Sequence, residues 1–370
     1  MVTDNVVPQA TDSKNERVLV AMSGGVDSSV AALLLKEADL EAQGLTLKMF
    51  EREDLRLDDD GTCGSSKDAE DARQVCLTLG IPHCIQDFSH TFKEDVIDRF
   101  CDGYICAQTP NPCIDCNRFV KFEALQRYRK ELGFDYAATG HYARRAFNPE
   151  TGRYLLKCGL DRNKDQSYVL FHLSQDALAH TLFPLGELSK PQVRELAEKH
   201  GFVNSQKPES QDICFVPDGD YASFIRRRRG FSFEPGPILD MSGKEVGQHT
   251  GLINYTVGQR KGIGVAAPEP LYVFAKDPSR NALIVGTDAE TKCNRIVVKG
   301  VNFIALEGLP EPKHLTVKTH YRQTARNAWV EQTGDDEIAI TFDEPQRACA
   351  AGQAAVVYDD DSVVCGGTIA

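Results

Sequence analysis

The chain has 370 residues, more than one compact core usually supports, which indicates two or three domains. Hydrophobic residues make up 41% and charged residues 26%, as in an ordinary soluble globular protein. No apolar run approaches the length of a membrane span, and the N-terminal sequence lacks the cationic and apolar regions of a signal peptide, so we expect a cytoplasmic protein. The net charge of −12 argues, taken alone, against a nucleic-acid partner, but binding depends on how charge is distributed over the surface.

The first predicted elements are a strand, a turn and a helix. Residues 1–16 are polar and are expected to form a flexible tail. Residues 17–22 predict a buried parallel strand, and residues 28–38 predict a helix packed on a sheet. The turn between them, SGGVDS, has two glycines that let backbone N–H groups approach an anion at a helix N-terminus. Since hydroxyl and carboxylate side chains crowd it, we interpret it as a phosphate-binding turn rather than a simple connection. It differs from the G-x-x-x-x-G-K-S/T loop because no lysine follows the glycines.

Strand and helix patterns then alternate. EAQGLTLKMF predicts a second strand, KDAEDARQVCLTLG a helix, IPHCIQDF a third strand and DYAATGHYAR a later one. Such alternation predicts a doubly wound parallel sheet, in which ligands bind at the carboxyl ends of the strands. Leu47, Gly140 and His141 fall at such ends and are expected to face the same crevice, although His141 is also compatible with a structural role. The charged insertion EREDLRLDDDGT predicts a solvated loop.

The composition changes after about Cys214. The segment GPILDMSGKEVGQHTGLINYTVGQRKGIG is rich in glycine and polar turns, and the remainder alternates apolar and polar residues in the manner of strands. We therefore predict an α/β fold class, with a doubly wound parallel-sheet domain at residues 17–217, a small central β-rich domain at 218–286 and a C-terminal β-barrel domain at 287–370.

A pair of cysteines, Cys113 and Cys116, follows a Pro-Asn-Pro turn in TPNPCIDCNRFVKF. In a reducing compartment a C-x-x-C pair favours metal or catalytic roles over a structural disulfide. A structural zinc site is weakened because no fourth ligand is evident; Cys106 lies before the turn. Arg118, Lys121 and a helix start near Cys116 would lower the pKa of a reactive thiol there.

Seven motifs occur in order through the chain: SGGVDSS, TPNPC-x-x-CNRFVKF, ATGHYARR, NKDQSYVL, PESQDICFV, HTGLINYTVGQRKGIG and AGQAAVVYDDDSVVCGG. SGGVDS resembles the pyrophosphatase loop (PP-loop) of the ATP-pyrophosphatase superfamily, and the whole set resembles the bacterial tRNA-specific 2-thiouridylase family. The resemblance covers nearly everything from Arg17 to Ile369. It implies ATP-dependent replacement of O2 of the wobble uridine of tRNA by sulfur, through adenylation of that oxygen.

The resemblance also implies site residues. Cys116 would be the nucleophile and Cys214 the carrier of a persulfide, with a transient disulfide between them and a sulfur-relay protein or cysteine desulfurase as donor. Asp27 would hold Mg²⁺, an ion that takes oxygen ligands. The implied ATP-binding residues are Ala21, Met22, Ser23, Gly24, Gly25, Val26, Asp27, Ser28, Leu47 and Gly140. The implied tRNA contacts are His141, Lys164, Asp165, Gln166, Tyr321, Arg322 and Gln353. Tyr321 is a candidate for base stacking, and Phe215 is a candidate either for stacking or, at least equally, for packing in the core.

One position departs from the family pattern, because Cys113 stands where the best-known branch has an aspartate that is thought to transfer protons. Cys113, Cys116 and Cys214 together would suit a 4Fe–4S cluster with one open iron position, which makes such a cluster an additional expected cofactor. Two other functions stay open: another adenylating ligase of the superfamily, which would not need the cysteine pair, and a non-catalytic tRNA-binding protein, which would not need the phosphate-binding turn.

Overall fold

The computed structural model describes residues 16–50, 66–208, 213–230, 233–347 and 349–370. Nearly all of the predicted N-terminal tail and the whole of the insertion EREDLRLDDDGT lie outside these ranges. Within them, no helix is both long enough and apolar enough to cross a membrane.

The first domain is built on a five-stranded parallel sheet. Its strands are β1 (Arg17–Ala21), β2 (Glu41–Lys48), β3 (His83–Asp87), β4 (Tyr136–Ala138) and β7 (Thr181–Leu182), in the order β3-β2-β1-β4-β7. Successive residues of β1 enter different cores: Val18 and Val20 pack on one face of the sheet, and Leu19 packs on the other. Both faces are therefore covered, and the predicted doubly wound sheet is confirmed.

Helices cover the two faces of this sheet. The helices of the described residues are α1 (Val26–Glu37), α2 (Ser66–Leu79), α3 (Ser89–Phe92), α4 (Arg99–Ile105), α5 (Pro112–Asp115), α6 (Glu123–Glu131), α7 (Gln175–Ala179), α8 (Lys190–Lys199) and α9 (Tyr221–Arg229). Of these, α5 and α7 pack in a separate core that they share with strands of the C-terminal sheet. Wider π-helical turns join α3 to α4 (Lys93–Asp98) and α5 to α6 (Cys116–Phe122), and short 3₁₀ turns occupy Ser167–Leu170 and Leu252–Asn254. Although α9 lies within the predicted central domain, its Ala222, Phe224 and Ile225 pack in the core of the first domain.

The prediction of one strand in DYAATGHYAR is wrong. The segment splits into β4 and β5 (Ala143–Asn148), and β5 pairs antiparallel with β6 (Arg153–Cys158). The break falls at Gly140, because the chain there passes against the start of α1: a Cβ on Gly140 would lie 2.7 Å from the Ser28 amide nitrogen. Beyond this contact the chain leaves the parallel sheet, and the β5–β6 hairpin joins the C-terminal sheet through the pairing of Lys157 with Ser362.

The rest of the chain forms the two predicted β units. The central one contains β8 (Gly236–Leu239), β9 (Glu245–His249), β10 (Tyr272–Asp277) and β11 (Ala282–Gly286) in the order β10-β11-β8-β9. The C-terminal one contains β12 (Lys292–Phe303), β13 (Lys313–Lys318), β14 (Arg326–Gly334), β15 (Glu337–Arg347), β16 (Ala354–Asp359) and β17 (Ser362–Ile369). Pairing of β12 with both β15 and β17 closes these six strands into a barrel, which confirms the predicted β-barrel.

Candidate active site

The phosphate-binding turn lies at the point where the strand order of the parallel sheet reverses. From β1 the chain proceeds outward to β2 and β3 on one side, and β4 and β7 lie on the other side. The turn follows β1, and Gly140 follows β4, so both lie at carboxyl ends that flank the reversal. Open α/β sheets bind their ligands at this point.

The backbone of the turn is shaped by its glycines. Gly24 has φ of 72°, a left-handed conformation that favours glycine, and a Cβ at Gly24 would overlap the carbonyl of Asp68 at the start of α2. Gly25 is the N-cap of α1 and supplies no capping side chain. The Ser28 hydroxyl accepts a bond from the Ser23 amide at 3.2 Å and donates to the Gly25 carbonyl at 3.0 Å. The first-turn amides of α1 therefore face the crevice without a capping side chain from Gly25, an arrangement suited to an anion.

The carboxylate of Asp27 is held by two side chains from other elements. Lys190 Nζ donates to both of its oxygens at 2.7 and 2.8 Å, and the Tyr142 hydroxyl donates to Oδ1 at 2.8 Å. Tyr142 is fixed in turn by Gln166, whose Oε1 accepts from the Tyr142 amide at 3.0 Å. Gln166, which is predicted to contact tRNA, is therefore linked through Tyr142 to Asp27 of the phosphate-binding turn.

A second lysine, Lys207, contacts the turn together with two acidic residues of α2. Lys207 Nζ donates to Asp68 Oδ1 at 2.5 Å, to Asp71 Oδ2 at 2.7 Å and to the Gly24 carbonyl at 3.2 Å. Asn204, buried just before it in the chain, donates to the same carbonyl at 3.0 Å. No local sequence signal pointed to Lys190, Lys207, Tyr142 or Asn204, apart from the absence of a lysine from the turn itself.

Among the other residues predicted to bind ATP, Met22, Val26 and Leu47 have buried side chains. The Met22 amide donates to the Leu45 carbonyl, and the Met22 carbonyl accepts from Thr46 Oγ1, each at 2.8 Å. These bonds tie the carboxyl ends of β1 and β2 together. Met22 and Leu47 therefore shape the floor of the crevice through backbone and packing.

The helix that carries the cysteine pair begins earlier than predicted. The expectation of a helix start near Cys116 is wrong: Asn111 is the N-cap, its Oδ1 accepts from the Cys113 amide at 3.1 Å, and Pro112 occupies the first helical turn. Cys113 thus lies in the first turn and is exposed, whereas Cys116 lies one turn later and is only 7% exposed. Residues three apart share a helix face, so both sulfurs project from one side of this helix.

Cys116 and Cys214 belong to the same packing environment. Cys116 is part of the core that covers one face of the parallel sheet, and the half-buried Cys214 packs against that core. Phe215, next in the chain, is 1% exposed and packs edge-on against Phe92 and Phe100 with ring centroids 5.8 and 5.4 Å away. Its predicted alternative role in base stacking is therefore wrong, because its ring is enclosed by core side chains.

A cavity of about 350 Å³ lies beside the cysteine-bearing helix. Asn111, Ile114 and Asp115 line it from the first domain, and Gly352 and Ala354 line it from the barrel. Burial raises the pKa of the Asp115 carboxyl to about 6, although Arg99 and Arg118 act in the opposite direction. The amide of Thr109 also donates to the carbonyl of Ala351 at 2.9 Å, which joins the Pro-Asn-Pro turn to the barrel segment that carries Gln353.

The residues predicted to contact tRNA have different environments. His141 is 8% exposed, its Nδ1 lies 2.8 Å from Thr139 Oγ1, and burial together with nearby Lys121 holds its pKa well below the ordinary value. Asp165 is 6% exposed and accepts from the amides of Gly159 and Ser167 at 3.0 and 3.1 Å. Lys164, Gln166 and Gln353 are half-buried.

Tyr321 and Arg322 are exposed in the connection between β13 and β14. Thr319 closes this connection, because its amide and hydroxyl both donate to Gln323 Oε1, at 2.7 and 2.8 Å. The Tyr321 ring lies 6.1 Å from that of the buried Tyr168 in the first domain. The connection therefore presents an aromatic ring and a guanidinium at the junction of the barrel and the first domain.

No three metal-ligating side chains among His, Cys, Asp and Glu gather into a group that could hold an ion in the part of the chain that the structure describes. Cys113, Cys116 and Cys214 all lie within that part. The three-cysteine ligand set is therefore not assembled in this conformation, and neither is a four-ligand zinc site among the described residues.

Comparison with known proteins identifies relatives along the whole chain. Family models match residues 16–218 (tRNA methyl transferase HUP domain), 222–287 (tRNA methyl transferase PRC-barrel domain) and 293–369 (aminomethyltransferase beta-barrel domain). A protein from Symbiobacterium thermophilum named tRNA-specific 2-thiouridylase MnmA is 47% identical, over 96% of this chain and 92% of its own length. A protein of the same name from Clostridioides difficile is 42% identical, over 96% and 98%.

Solved structures with lower similarity match about three fifths of the chain. A 4-thiouridine synthetase in complex with RNA and ATP is 16% identical, with a TM-score of 0.38 over 58% of this chain and 50% of that one. The NMN synthetase from Francisella tularensis is 15% identical, with a TM-score of 0.33 over 60% and 79%. At these scores the likeness does not bear on function.

Proposed function

This chain belongs to the tRNA-specific 2-thiouridylase family, and from that membership we propose that it replaces O2 of the wobble uridine of tRNA by sulfur at the expense of ATP. The observation that carries the proposal is the pairing of two sites in one domain: a phosphate-binding turn at the reversal of the sheet, and the cysteines Cys116 and Cys214 on one core. An adenylating ligase would use the first without the second, and a tRNA-binding protein would use neither.

The chemistry divides into activation and sulfur transfer. The uracil O2 is a poor leaving group and must first be activated. It attacks the α-phosphorus of ATP, the bond to the β-phosphate breaks, and pyrophosphate leaves. The adenylated oxygen can then leave C2 as AMP. Splitting one difficult displacement into two easier steps is the usual advantage of a covalent intermediate.

Sulfur enters in the second step. A persulfide on Cys214 attacks C2 through its terminal sulfur, and the C2–O2 bond breaks with AMP as leaving group. The Cys116 thiolate then attacks Sγ of Cys214, so that the S–S bond of the persulfide breaks, 2-thiouridine is released and a Cys116–Cys214 disulfide forms. A cellular dithiol reduces this disulfide, and a sulfur-relay protein or cysteine desulfurase restores the persulfide. Packing of both cysteines on one core supports this pairing.

The residues present at the turn fit Mg²⁺. Asp27 offers one carboxylate beside the phosphate site, and Mg²⁺ in nucleotide sites is bound by one or two carboxylates together with phosphates and water. Bound there, the ion would neutralise charge on the phosphates. The cysteines fit an iron–sulfur cluster less well, because Cys113 is exposed and the three thiols do not gather. The proposed reaction therefore uses no cluster.

The tRNA partner is compatible with the acidic net charge. Tyr321 and Arg322 are exposed near the junction of barrel and first domain, and the cavity beside the cysteine-bearing helix is lined from the same two units. We propose that the anticodon arm lies along this junction and that the unstacked wobble base passes from it toward Cys214 and the phosphate-binding turn. An enzyme that modifies a base must draw it out of its stack, and RNA loops present such bases.

The test is analysis of the product nucleoside. Unmodified tRNA is incubated with the protein, ATP, Mg²⁺ and a persulfide donor, then digested and analysed by mass spectrometry. The proposal predicts a wobble uridine whose mass corresponds to sulfur in place of oxygen, formed only with ATP. An added methyl group would favour the activity suggested by the names of the family models, and an unchanged nucleoside would leave a non-catalytic function.

A further inference from the structure

Two cysteines of the C-terminal barrel lie in contact with each other. Cys293 is the second residue of β12, and its partner across the ladder is Gln346 of β15. Cys349 follows Gln346 in the chain, just after β15 has ended. Both cysteines are half-buried against the same barrel core, and the Cys349 thiol donates a hydrogen bond to the sulfur of Cys293. We call this pair the barrel dithiol.

The two thiols of the barrel dithiol differ in acidity. The hydrogen bond from Cys349 lowers the pKa of Cys293 to about 7, although burial acts in the opposite direction. The same bond, together with burial, raises the pKa of Cys349. Burial alone raises the pKa of Cys365, in the interior of the same barrel, to about 12. A large fraction of Cys293 is therefore thiolate at neutral pH, whereas Cys349 and Cys365 stay protonated.

This arrangement is typical of a redox-active pair. The thiolate is the nucleophilic form of cysteine, and cysteines that react with peroxide are acidic, accessible to solvent and close to a second thiol that can complete a disulfide. In a reducing compartment, disulfides are usually transient and serve catalysis or redox sensing. Because the sulfurs of Cys293 and Cys349 already share a hydrogen bond, little movement is needed to join them.

The barrel dithiol also contacts the surface at which we place tRNA. The Cys349 thiol shares a hydrogen bond with the hydroxyl of Thr319, which closes the exposed connection between β13 and β14. Shortly after Cys349, the carbonyl of Ala351 accepts from the amide of Thr109 in the first domain. A displacement of Cys349 would therefore act on both barrel segments that are proposed to contact RNA.

We propose that Cys293 and Cys349 form a redox site separate from Cys116 and Cys214, at which hydrogen peroxide produces a disulfide that weakens tRNA binding. The Cys293 thiolate attacks one peroxide oxygen, the O–O bond breaks, and the hydroxide released takes up a proton to become water. The sulfur of Cys349 then attacks the resulting sulfenic acid, the S–O bond breaks, and the Cys349 proton leaves with the hydroxide as a second water. The two electrons lost by the thiols reduce the peroxide.

The effect on RNA rests on the proposed function, whereas formation of the disulfide does not. Oxidation removes the thiol proton of Cys349 and draws its sulfur toward β12, which weakens the contact with Thr319. The connection between β13 and β14 then loses support where it presents Tyr321 and Arg322. We therefore expect oxidation to lower the affinity for tRNA and a dithiol reductant to restore it.

Peptide analysis tests the disulfide. The reduced protein is treated with hydrogen peroxide, digested with trypsin and analysed by mass spectrometry, and we expect peptide 293–295 to be joined to peptide 348–370 through Cys349. Cys349→Ser should leave a sulfenic acid on Cys293 that dimedone traps, whereas Cys293→Ser should give no dimedone adduct on Cys349. Two thiols that only pack together would not show this asymmetry. The control Cys106→Ser removes an exposed cysteine of the first domain and should keep the disulfide.

Binding of labelled tRNA, measured by fluorescence anisotropy, tests the consequence. Oxidation of the wild type should lower the affinity by about fivefold or more, and dithiothreitol should restore it. Cys293→Ser keeps every other thiol and should lose no affinity beyond what oxidation of those thiols causes. Its comparison with the wild type therefore isolates the barrel dithiol.

Four outcomes overturn the inference: no disulfide at Cys293, a disulfide from Cys293 to Cys365, equal losses of tRNA affinity in oxidised wild type and oxidised Cys293→Ser, or unchanged affinity in the oxidised wild type. Should a serine variant not fold, the peptides and the tRNA affinity of the wild type decide. A reduced wild-type protein that binds no tRNA would instead contradict the proposed function, and peptide analysis would still decide whether the disulfide forms.

Discussion

Lys190 follows Asp27 by 163 positions in the chain, yet its ammonium lies 2.7 and 2.8 Å from the two carboxylate oxygens of Asp27. The contact connects the first turn of α1 to the first turn of α8, and therefore the two sides of the crevice at the reversal of the sheet. It fixes the direction of the Asp27 carboxylate. A metal ion that binds this carboxylate must share it with, or take it from, the lysine.

The first prediction concerns Asp27. Asp27→Asn keeps the shape of the side chain but removes the charge that orients Lys190 and would bind Mg²⁺. We expect tRNA-dependent AMP formation to fall by on the order of a hundredfold. Affinity for tRNA should stay within about twofold, because the proposed RNA contacts lie elsewhere. Formation of AMP at the wild-type rate would show that the phosphate-binding turn has been misassigned.

The second prediction separates the cysteines. Cys116→Ser and Cys214→Ser should each lower thiolation from a persulfide donor by more than about a hundredfold, because each removes a sulfur that forms or breaks a bond. Cys113→Ser should thiolate in air within about threefold of the wild type. The opposite pattern, an oxygen-sensitive chromophore after reconstitution with iron and sulfide that disappears with activity in Cys113→Ser, would support the cluster and contradict the two-cysteine relay.

The third prediction concerns RNA binding by an acidic protein. Affinity for tRNA should fall steeply as salt rises, because phosphate contacts release counterions. Arg322→Glu should weaken binding and lower the slope of log affinity against log salt by roughly one. Lys244→Glu, an equal charge change on the exposed β8–β9 connection, serves as the control and should leave the slope unchanged. Equal effects of the two variants would argue against a local RNA-binding surface at the barrel.

The fourth prediction follows from the cavity residue Asp115. Its pKa is raised from 3.8 to about 6, mainly by burial, so the folded protein binds this proton more tightly than the unfolded chain does. The free energy of unfolding should therefore lose a contribution as pH rises through this window. Asp115→Asn removes that loss, and we expect it to increase the unfolding free energy by about 2 kcal/mol near pH 8.

The gain from Asp115→Asn should fall to a small fraction of its pH 8 value at ~pH 4, where the carboxyl is protonated in the folded protein and only about half protonated in the unfolded chain. Chemical denaturation at several pH values measures it, with the exposed Glu123→Gln as control. A variant that is less stable than the wild type near pH 8 would show that ion pairing stabilises the Asp115 carboxylate by more than burial destabilises it.

Local signals made much of the fold predictable. The run at residues 17–22 predicted β1 because a strand covered on both faces needs apolar residues throughout, and SGGVDS predicted the turn because its glycines are required locally. The start of α5 was also predictable, since an asparagine followed by proline is a standard N-cap and first-turn pair. The spacing of the cysteines gave no information about that start.

Long-range pairing was not predictable. The departure of β5 from the parallel sheet depends on the barrel strand β17, whose residue Ser362 pairs with Lys157. Likewise nothing near Lys190 or Lys207 in sequence indicates their ion pairs, because their partners come from α1 and α2. Phe215 was ambiguous for a similar reason: an aromatic residue beside a reactive cysteine suits stacking or packing, and only the positions of Phe92 and Phe100 decide for packing.

The most direct test of the account follows the oxygen atom that is replaced. Unmodified tRNA with oxygen-18 at O2 of the wobble uridine is incubated with the protein, ATP, Mg²⁺ and a persulfide donor, and the AMP and nucleosides are analysed by mass spectrometry. Adenylation of O2 predicts one labelled oxygen in each AMP released and an equal amount of 2-thiouridine. Thiouridine accompanied by unlabelled AMP would contradict activation through this oxygen, and labelled uridine that remains intact would contradict the proposed reaction.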